Sequence, residues 1–278
     1  MLMNNKNKLI SDLKKDLPCV LGTLEECYAY SQDASNQREI KGLPDAVVFV
    51  ETIEQVQKVV KVANNYQTPI ICRGAGTNVV GACLCEHGGI VLNFSKMNKI
   101  LEISPENMTA IVQPGVVLGD LQREVEKLGL FYPPDPSNLA VSTIGGSIAQ
   151  NSAGAKSFKY GTTRDYVIDL KVVTANGEIL QTGANTIKNA TGYNLANLFV
   201  GSEGTLGIVV EATLKLIPMP ESKKVLGAYF DTVEQAVNAV NAIMEQKIYP
   251  ATIEFMDKNA ILTVEKFYSA NLLTEKDA

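Results

Sequence analysis

The chain has 278 residues, 46% of them hydrophobic and 20% charged, with 25 basic against 30 acidic side chains and a net charge of −5. That balance fits a globular protein of one large or two ordinary domains, not a disordered one, and the lack of a basic block argues against nucleic acid as a partner. No apolar run reaches the ~18 residues of a membrane helix, because Glu211 and Lys215 interrupt the longest candidate. The opening Met1-Leu2-Met3-Asn4-Asn5-Lys6 carries no apolar core or cleavage site and does not read as a signal peptide. Five cysteines, odd in number and without metal-ligand spacing, point to reduced thiols and a cytoplasmic location.

In chain order, residues 7–17 and 24–30 are predicted helical and 47–50 form a buried strand. Thr52 with Gln55 is a capping-box arrangement opening a helix whose apolar face is Val56, Val59, Val60 and Ala63. Strands are expected near 69–72 and 90–92, with 82–89 between them as loop, and 109–113 alternates until Pro114-Gly115. A helix over 118–128 buries Leu118, Leu121, Val125 and Leu128, with Gly129 ending it. Segments 167–174 and 178–181 flank Ala175-Asn176-Gly177, whose Asn-Gly favours a type I′ turn. A long strand over 208–216 ends at Pro218 and Pro220.

After Pro220 the pattern changes. A strand is predicted over 225–230, and Thr232 with Gln235 caps a helix carrying Ala236, Val237, Val240, Ile243 and Met244 on one face. A second strand over 252–256 and a short helix follow. Such a β-α-β-α opening needs more strands to close its core. The predicted class is α+β. The strands are not spaced as regular βαβ units, which counts against a doubly wound nucleotide fold.

Four glycine- or proline-bearing clauses stand out: Arg73-Gly74-Ala75-Gly76-Thr77-Asn78, Pro133-Pro134-Asp135-Pro136, Ser142-Thr143-Ile144-Gly145-Gly146, and Gly201-Ser202-Glu203-Gly204-Thr205-Leu206-Gly207. Glycine permits positive φ and close approach of bare backbone, and successive N–H groups in such turns cradle phosphate. A dinucleotide is the economical ligand. The GxGxxG fingerprint fits poorly, because Val79 fills the third glycine's slot and Gly81 comes two later. Of the nearby cysteines, Cys83 and Cys85 form a C-x-C in a loop, a spacing open to a redox pair but commonly incidental.

The wording of Tyr132-Pro133-Pro134-Asp135-Pro136, of Lys159-Tyr160-Gly161-Thr162-Thr163-Arg164-Asp165-Tyr166-Val167, and of Leu198 through Val209 resembles the FAD-linked oxidase superfamily that includes vanillyl-alcohol oxidase. Within it, the chain is most similar to glycolate oxidase and D-lactate dehydrogenase flavoprotein subunits, and Ile253-Glu254-Phe255-Met256-Asp257 extends the likeness. The resemblance implies a PCMH-type FAD-binding domain of two α+β subdomains over 1–220, with an N-terminal helical segment, then the start of an α+β substrate cap at 221–278. It implies that Arg73, Gly74, Ala75, Gly76, Thr77 and Asn78 wrap the pyrophosphate, with Gly81 and Ala82 continuing the wall. Arg73 read alone also suits a surface salt bridge. Pro134 and Asp135 would lie near the isoalloxazine, although Asp135 also suits a turn-capping role.

By the same resemblance Ser142, Thr143, Gly145 and Gly146 form a second loop leading to Ala149, Asn151, Ser152 and Gly154. The family's Asn-Ala-Gly-Gly becomes Asn151-Ser152-Ala153-Gly154, which puts a contact at Ala153 in doubt. Tyr160 and Gly161 follow, and Glu203, Gly204, Gly207, Ile208 and Val209 close the adenine and ribose side, the last two equally at home as strand core. Some members link flavin to a histidine in the first loop. Here Thr77 and Asn78 stand there, and the one histidine, His87, sits in the turn Glu86-His87-Gly88-Gly89, so the FAD is expected to be noncovalent.

The implied reaction oxidises a small D-2-hydroxy acid, D-lactate or glycolate, to the 2-oxo acid with hydride transfer to flavin N5. Electrons would pass to a separate acceptor, an electron-transfer flavoprotein or an iron–sulfur subunit. The family's histidine-rich motif for metal and substrate has no counterpart after residue 257, so no catalytic residue or metal ligand is assigned. That puts the missing half either in a longer polypeptide or in a second chain. A reductase of the UDP-N-acetylenolpyruvoylglucosamine type and a non-catalytic FAD-binding fragment or subunit are the alternatives.

Overall fold

The computed structural model of the chain describes residues 2–35, 42–272 and 275–278. Two-residue alternation builds the first sheet. Helix α1 (Leu2–Asp16), strand β1 (Val20–Leu21) and the short helix α2 (Leu24–Tyr28) lead to β2 (Ala46–Phe49), then to helix α3 (Ile53–Tyr66), β3 (Ile70–Arg73) and β4 (Ile90–Asn93). The sheet order is β1-β2-β4-β3, with β4 parallel to both β2 and β3 and β1 antiparallel to β2. Ala46, Val48, Ile90 and Leu92 turn to one face and meet Leu9 and Leu13 of α1 and Val56, Val59, Val60 and Ala63 of α3. Val47 and Val91 turn to the other and pack with Cys27 and Cys85. Both faces are thus covered, as a parallel sheet requires.

The α3 boundaries follow from its caps. Thr52 Oγ1 accepts from Gln55 N at 3.4 Å, Gln55 Oε1 accepts from Glu51 N at 2.7 Å, and Gln67 ends the helix at φ 50°. Replacing Thr52 with alanine is expected to cost about 1 kcal/mol, read as a lower urea midpoint at unchanged slope.

The second sheet is antiparallel. It comprises β5 (Ile100–Ser104), β6 (Thr109–Val112), β8 (Val167–Val173), β9 (Ile179–Gln181) and β10 (Ile208–Lys215), in the order β5-β6-β10-β8-β9. Helix α4 (Leu118–Glu126), strand β7 (Leu130–Phe131), helices α5 (Ile144–Gln150) and α6 (Ser157–Tyr160), α7 (Leu195–Phe199) and β11 (Ile217–Pro218) lie along the same stretch of chain. On facing strands Lys171 Nζ meets Glu211 at 2.7 Å, a cross-strand pair in register.

Several expectations need correction. Helix α4 ends at Glu126, and Leu128 is exposed in the turn beyond it. The β8–β9 connection is not type I′, because among its residues Gly177 alone has positive φ, 83°. Gly177 N donates to Thr174 O at 2.9 Å and Thr174 N to Glu178 O at 2.9 Å, which is a type I turn closed by a left-handed glycine bulge.

The chain divides into two compact units, the second comprising Pro133–Asp135, Ala153–Gly161 and Pro220–Ala278. In that unit helix α8 (Val233–Glu245) is capped by Thr232, and α9 (Lys258–Tyr268) by Asp257. The strands predicted over 225–230 and 252–256 do not form. A strand exists only where another strand takes up its hydrogen bonds. Here Phe230 N donates to Ala278 O at 2.7 Å, and the rest of 225–230 has no ladder partner among the described residues. Val225 and Leu226 stand 90% and 94% exposed. Among the described residues no helix is long and apolar enough to cross a membrane.

Candidate functional site

Strand β3 runs straight into the first glycine clause. Arg73 ends the strand, and its guanidinium turns back beneath the loop, donating to Gln32 O at 2.8 Å and lying 5.7 Å from the Tyr30 ring centroid. It is therefore a brace for the loop and makes no surface salt bridge among the described residues. Gly76 sits at φ 70°, where a Cβ would collide with that guanidinium, and Gly81 at φ 80°. Asn78 Oδ1 accepts from the N–H groups of Val80 and Ala82 at 3.1 and 3.0 Å, folding the loop on itself. Among the described residues, the N–H groups of Ala75, Gly76, Thr77 and Asn78 meet no hydrogen-bond partner.

The second clause is not only a loop, since it opens α5. Thr143 is the N-cap, its Oγ1 accepting from Gly146 N at 3.2 Å. Ile144 N and Gly145 N donate to Val116 O and Pro114 O, both at 2.8 Å, and a Cβ on Gly145 would strike Pro114. Gly74 lies so close to Thr143 that a side chain there would displace its hydroxyl. The third clause is tied to the far end of α5, where Gly201 N and Glu203 N donate to Ile148 O and Ala149 O at 2.9 and 3.0 Å. Glu203 is held at φ 53°, a strained conformation for a residue with a Cβ.

These ties bring three distant segments around two adjoining clefts. In the first, of about 660 Å³, Gly74 to Asn78 and Ala82 face Ser142, Thr143, Gly146, Ala149 and Ser152, with Glu203 at its edge. The second, of about 510 Å³, shares Cys72, Gly74, Thr143, Gly146 and Ala149, but its outer walls are Phe94, Pro114, Phe199, Ile208 and Val209, with Arg73, Gly145, Gly204 and Gly207.

The remaining predicted residues do other things locally. Gly81 turns the first loop, its carbonyl accepting from Leu84 N at 3.1 Å. Asn151 ends α5 at φ 48°, and its Oδ1 accepts from Thr162 Oγ1 and Arg164 N at 3.0 and 2.9 Å. In the second unit, Asp135 accepts from Lys156 N at 3.1 Å and pairs with Lys156 Nζ at 3.1 Å, while Gly154 leaves no room for a Cβ against the Asp135 carbonyl. Pro134 is buried beside it, Tyr160 lies beneath Lys159 Nζ at 5.5 Å, and Gly161 ends α6 at φ 83°. His87 is exposed and lines neither cleft.

Sequence reasoning missed Cys72, Cys83, Asn138, Ser147 and Gln150, all in the first cleft. Thr143 with Ser147, and Gly146 with Gln150, are one helical turn apart, so reading this stretch as helix would have found the serine and glutamine. Burial pushes the Cys72 thiol up to about 12, with Cys83 adding to it, and burial also raises Cys83. Neither is a thiolate near neutral pH. Cys85, outside both clefts, is pushed up to about 11 by burial, and all five cysteines are free.

Residues 44–183 match the family described as FAD binding domain, and 219–278 match FAD linked oxidases, C-terminal domain. Glycolate oxidase subunit GlcD of Bacillus subtilis is 48% identical over 249 residues, 90% of this chain and 53% of that protein. The chain belongs to the FAD-linked oxidase family. D-lactate dehydrogenase of Anaerostipes hadrus is 41% identical over 82% of this chain and 48% of its own length. D-2-hydroxyglutarate dehydrogenase of Stutzerimonas stutzeri is 39% identical over 88% and 52%. The chain spans about half the length of the curated relatives it matches.

Among solved structures, p-cresol methylhydroxylase with substrate bound superposes with a TM-score of 0.75 at 26% identity, over 86% of this chain and 48% of that one. An alkyldihydroxyacetonephosphate synthase gives 0.76 at 29%, over 88% and 45%. The fold is thus the α+β, PCMH-type arrangement of FAD-linked oxidases, and the cofactor is FAD. The site fits that group: among the described residues Ser142 Oγ and Ser147 Oγ are buried without partners in the first cleft, and the loop beside them has no room for side chains at Gly74 or Gly76.

Proposed function

We propose that this chain is the FAD-holding portion of an oxidoreductase that converts a small D-2-hydroxy acid, D-lactate or glycolate, to its 2-oxo acid. The observation that carries the reading is the convergence of the 73–82, 142–152 and 203–209 segments on two clefts that share a wall. The names of the relatives, glycolate oxidase subunit and D-lactate dehydrogenase, supply the substrate class. Bound FAD supplies a two-electron acceptor. The chain's own part is positional: the N–H groups of 75–78 receive phosphate oxygens, Arg73 braces their loop, and Phe94, Phe199 and Ile208 wall off water from a flat ring. Residues 1–220 form the FAD-binding portion in this reading, and 221–278 begin the substrate cap.

Electrons leave to an electron-transfer flavoprotein or an iron–sulfur subunit, in the cytoplasm. The flavin is held noncovalently, since among the described residues no histidine lines either cleft and the cleft thiols stay protonated. The purified protein is expected to be yellow and to release FAD into the supernatant on acid precipitation, identified by mass spectrometry. FMN in the supernatant would overturn the assignment. Colour remaining in the pellet would overturn noncovalent binding.

A further inference from the structure

We propose that Ser147, together with Ser142, donates its hydroxyl to the diphosphate of the dinucleotide; the inference rests on the FAD reading above. Ser147 is 1% exposed and lies in α5, where serine commonly bonds back to the carbonyl four residues earlier. That carbonyl, of Thr143, accepts from Ser147 N at 2.9 Å, and among the described residues the Ser147 hydroxyl has no partner. Ser142, 7% exposed, is left in the same condition. Two wholly buried hydroxyls without partners in one protein face a desolvation cost with no return. Both line the first cleft, so a ligand in that cleft is what would satisfy them.

The surroundings select the diphosphate over the rest of the molecule. The cleft that holds Ser147 contains no aromatic side chain. It gathers donors instead: the N–H groups of 75–78, unpaired among the described residues, and Thr143 Oγ1, which accepts from Gly146 N and so keeps its own proton to give. Neutral hydroxyls and backbone N–H groups around an anion form short, charge-assisted bonds. The neighbouring cleft, walled by Phe94, Pro114, Phe199 and Ile208, suits a ring and offers no comparable donor set. Ser147 is thus a binding residue within α5, outside the glycine clauses that mark the site in the sequence.

Titration of wild-type and Ser147→Ala apo-protein with FAD, and displacement of FAD by inorganic pyrophosphate, test this. The variant is expected to bind FAD about tenfold more weakly, the effect of one hydrogen bond to a charged group, and pyrophosphate to compete less well by a similar factor. The thermal midpoint of the apo-protein should stay the same or rise, because an unpaired buried hydroxyl has been removed. Unchanged FAD affinity overturns the inference, as does a loss for FAD with none for pyrophosphate. A fall in the apo midpoint overturns it too, by showing that the hydroxyl supports the fold. Failure of the wild-type protein to bind FAD would instead sink the FAD reading itself, and the inference with it.

Discussion

Replacing Gly76 with valine is expected to lower FAD affinity by at least about 100-fold, a loss of roughly 2.8 kcal/mol. Two effects combine at this position. Its φ of 70° is a conformation that a β-branched residue adopts only under strain. Its missing Cβ is also what leaves room for the Arg73 guanidinium, which is fixed by Gln32 O at 2.8 Å and by the Tyr30 ring. A valine must push that brace aside or swing the loop, and a further tether of the loop, Ala34 N to Gly76 O at 3.0 Å, would move with it. Either response scatters the N–H groups of 75–78. Cys85→Ser is the matched control: Cys85 is buried in the core beside Val47 and Val91 and lines neither cleft. Its FAD affinity should stay within about twofold of wild type. Equal affinities for wild type and Gly76→Val would remove the first loop from the site.

The parts of this fold that were legible in the sequence are those fixed locally. Residues 46–49 and 90–93 alternate between two covered faces, and α3 carries its own cap and a complete apolar stripe, so neither needed tertiary information. Strand β5 was missed because a bulge between Ile100 and Glu102 breaks the alternation that would announce it. Helix α5 was read as loop because Gly145-Gly146 is a poor helix start by propensity; carbonyls of Pro114 and Val116, some thirty residues earlier, impose it from outside. The strands expected at 225–230 and 252–256 show the reverse failure, apolar patterns whose ladder partners are not local. In the site, glycines announce themselves because their reason is backbone geometry. Ser147 and Asn138 do not, since a serine or asparagine comes to line a cleft only by how folding places it.

Anaerobic mixing of the FAD-loaded 278-residue chain with excess D-lactate or glycolate is expected to leave the flavin absorbance unbleached on the timescale of turnover, while dithionite reduces it at once. Oxidising a 2-hydroxy acid needs a base for the hydroxyl proton and a cation for the carboxylate. Among the described residues lining the two clefts, the carboxylate is Glu203 alone, exposed at the edge and held in a left-handed turn that aligns the loop, and no histidine is present. The cleft thiols are protonated because burial raises them, so they take no proton. The lining cation is Arg73, and its guanidinium is already committed to Gln32 O and the Tyr30 ring. Proton abstraction alone is worth about 10²–10⁴ in rate, and substrate positioning more again, so the two clefts can hold the cofactor without running the reaction. In the second unit Val225, Leu226, Tyr249 and Phe255 are exposed. Fast bleaching by one enantiomer of lactate would show that base and cation are already assembled in this chain, and the assignment of these clefts to cofactor binding alone would fall.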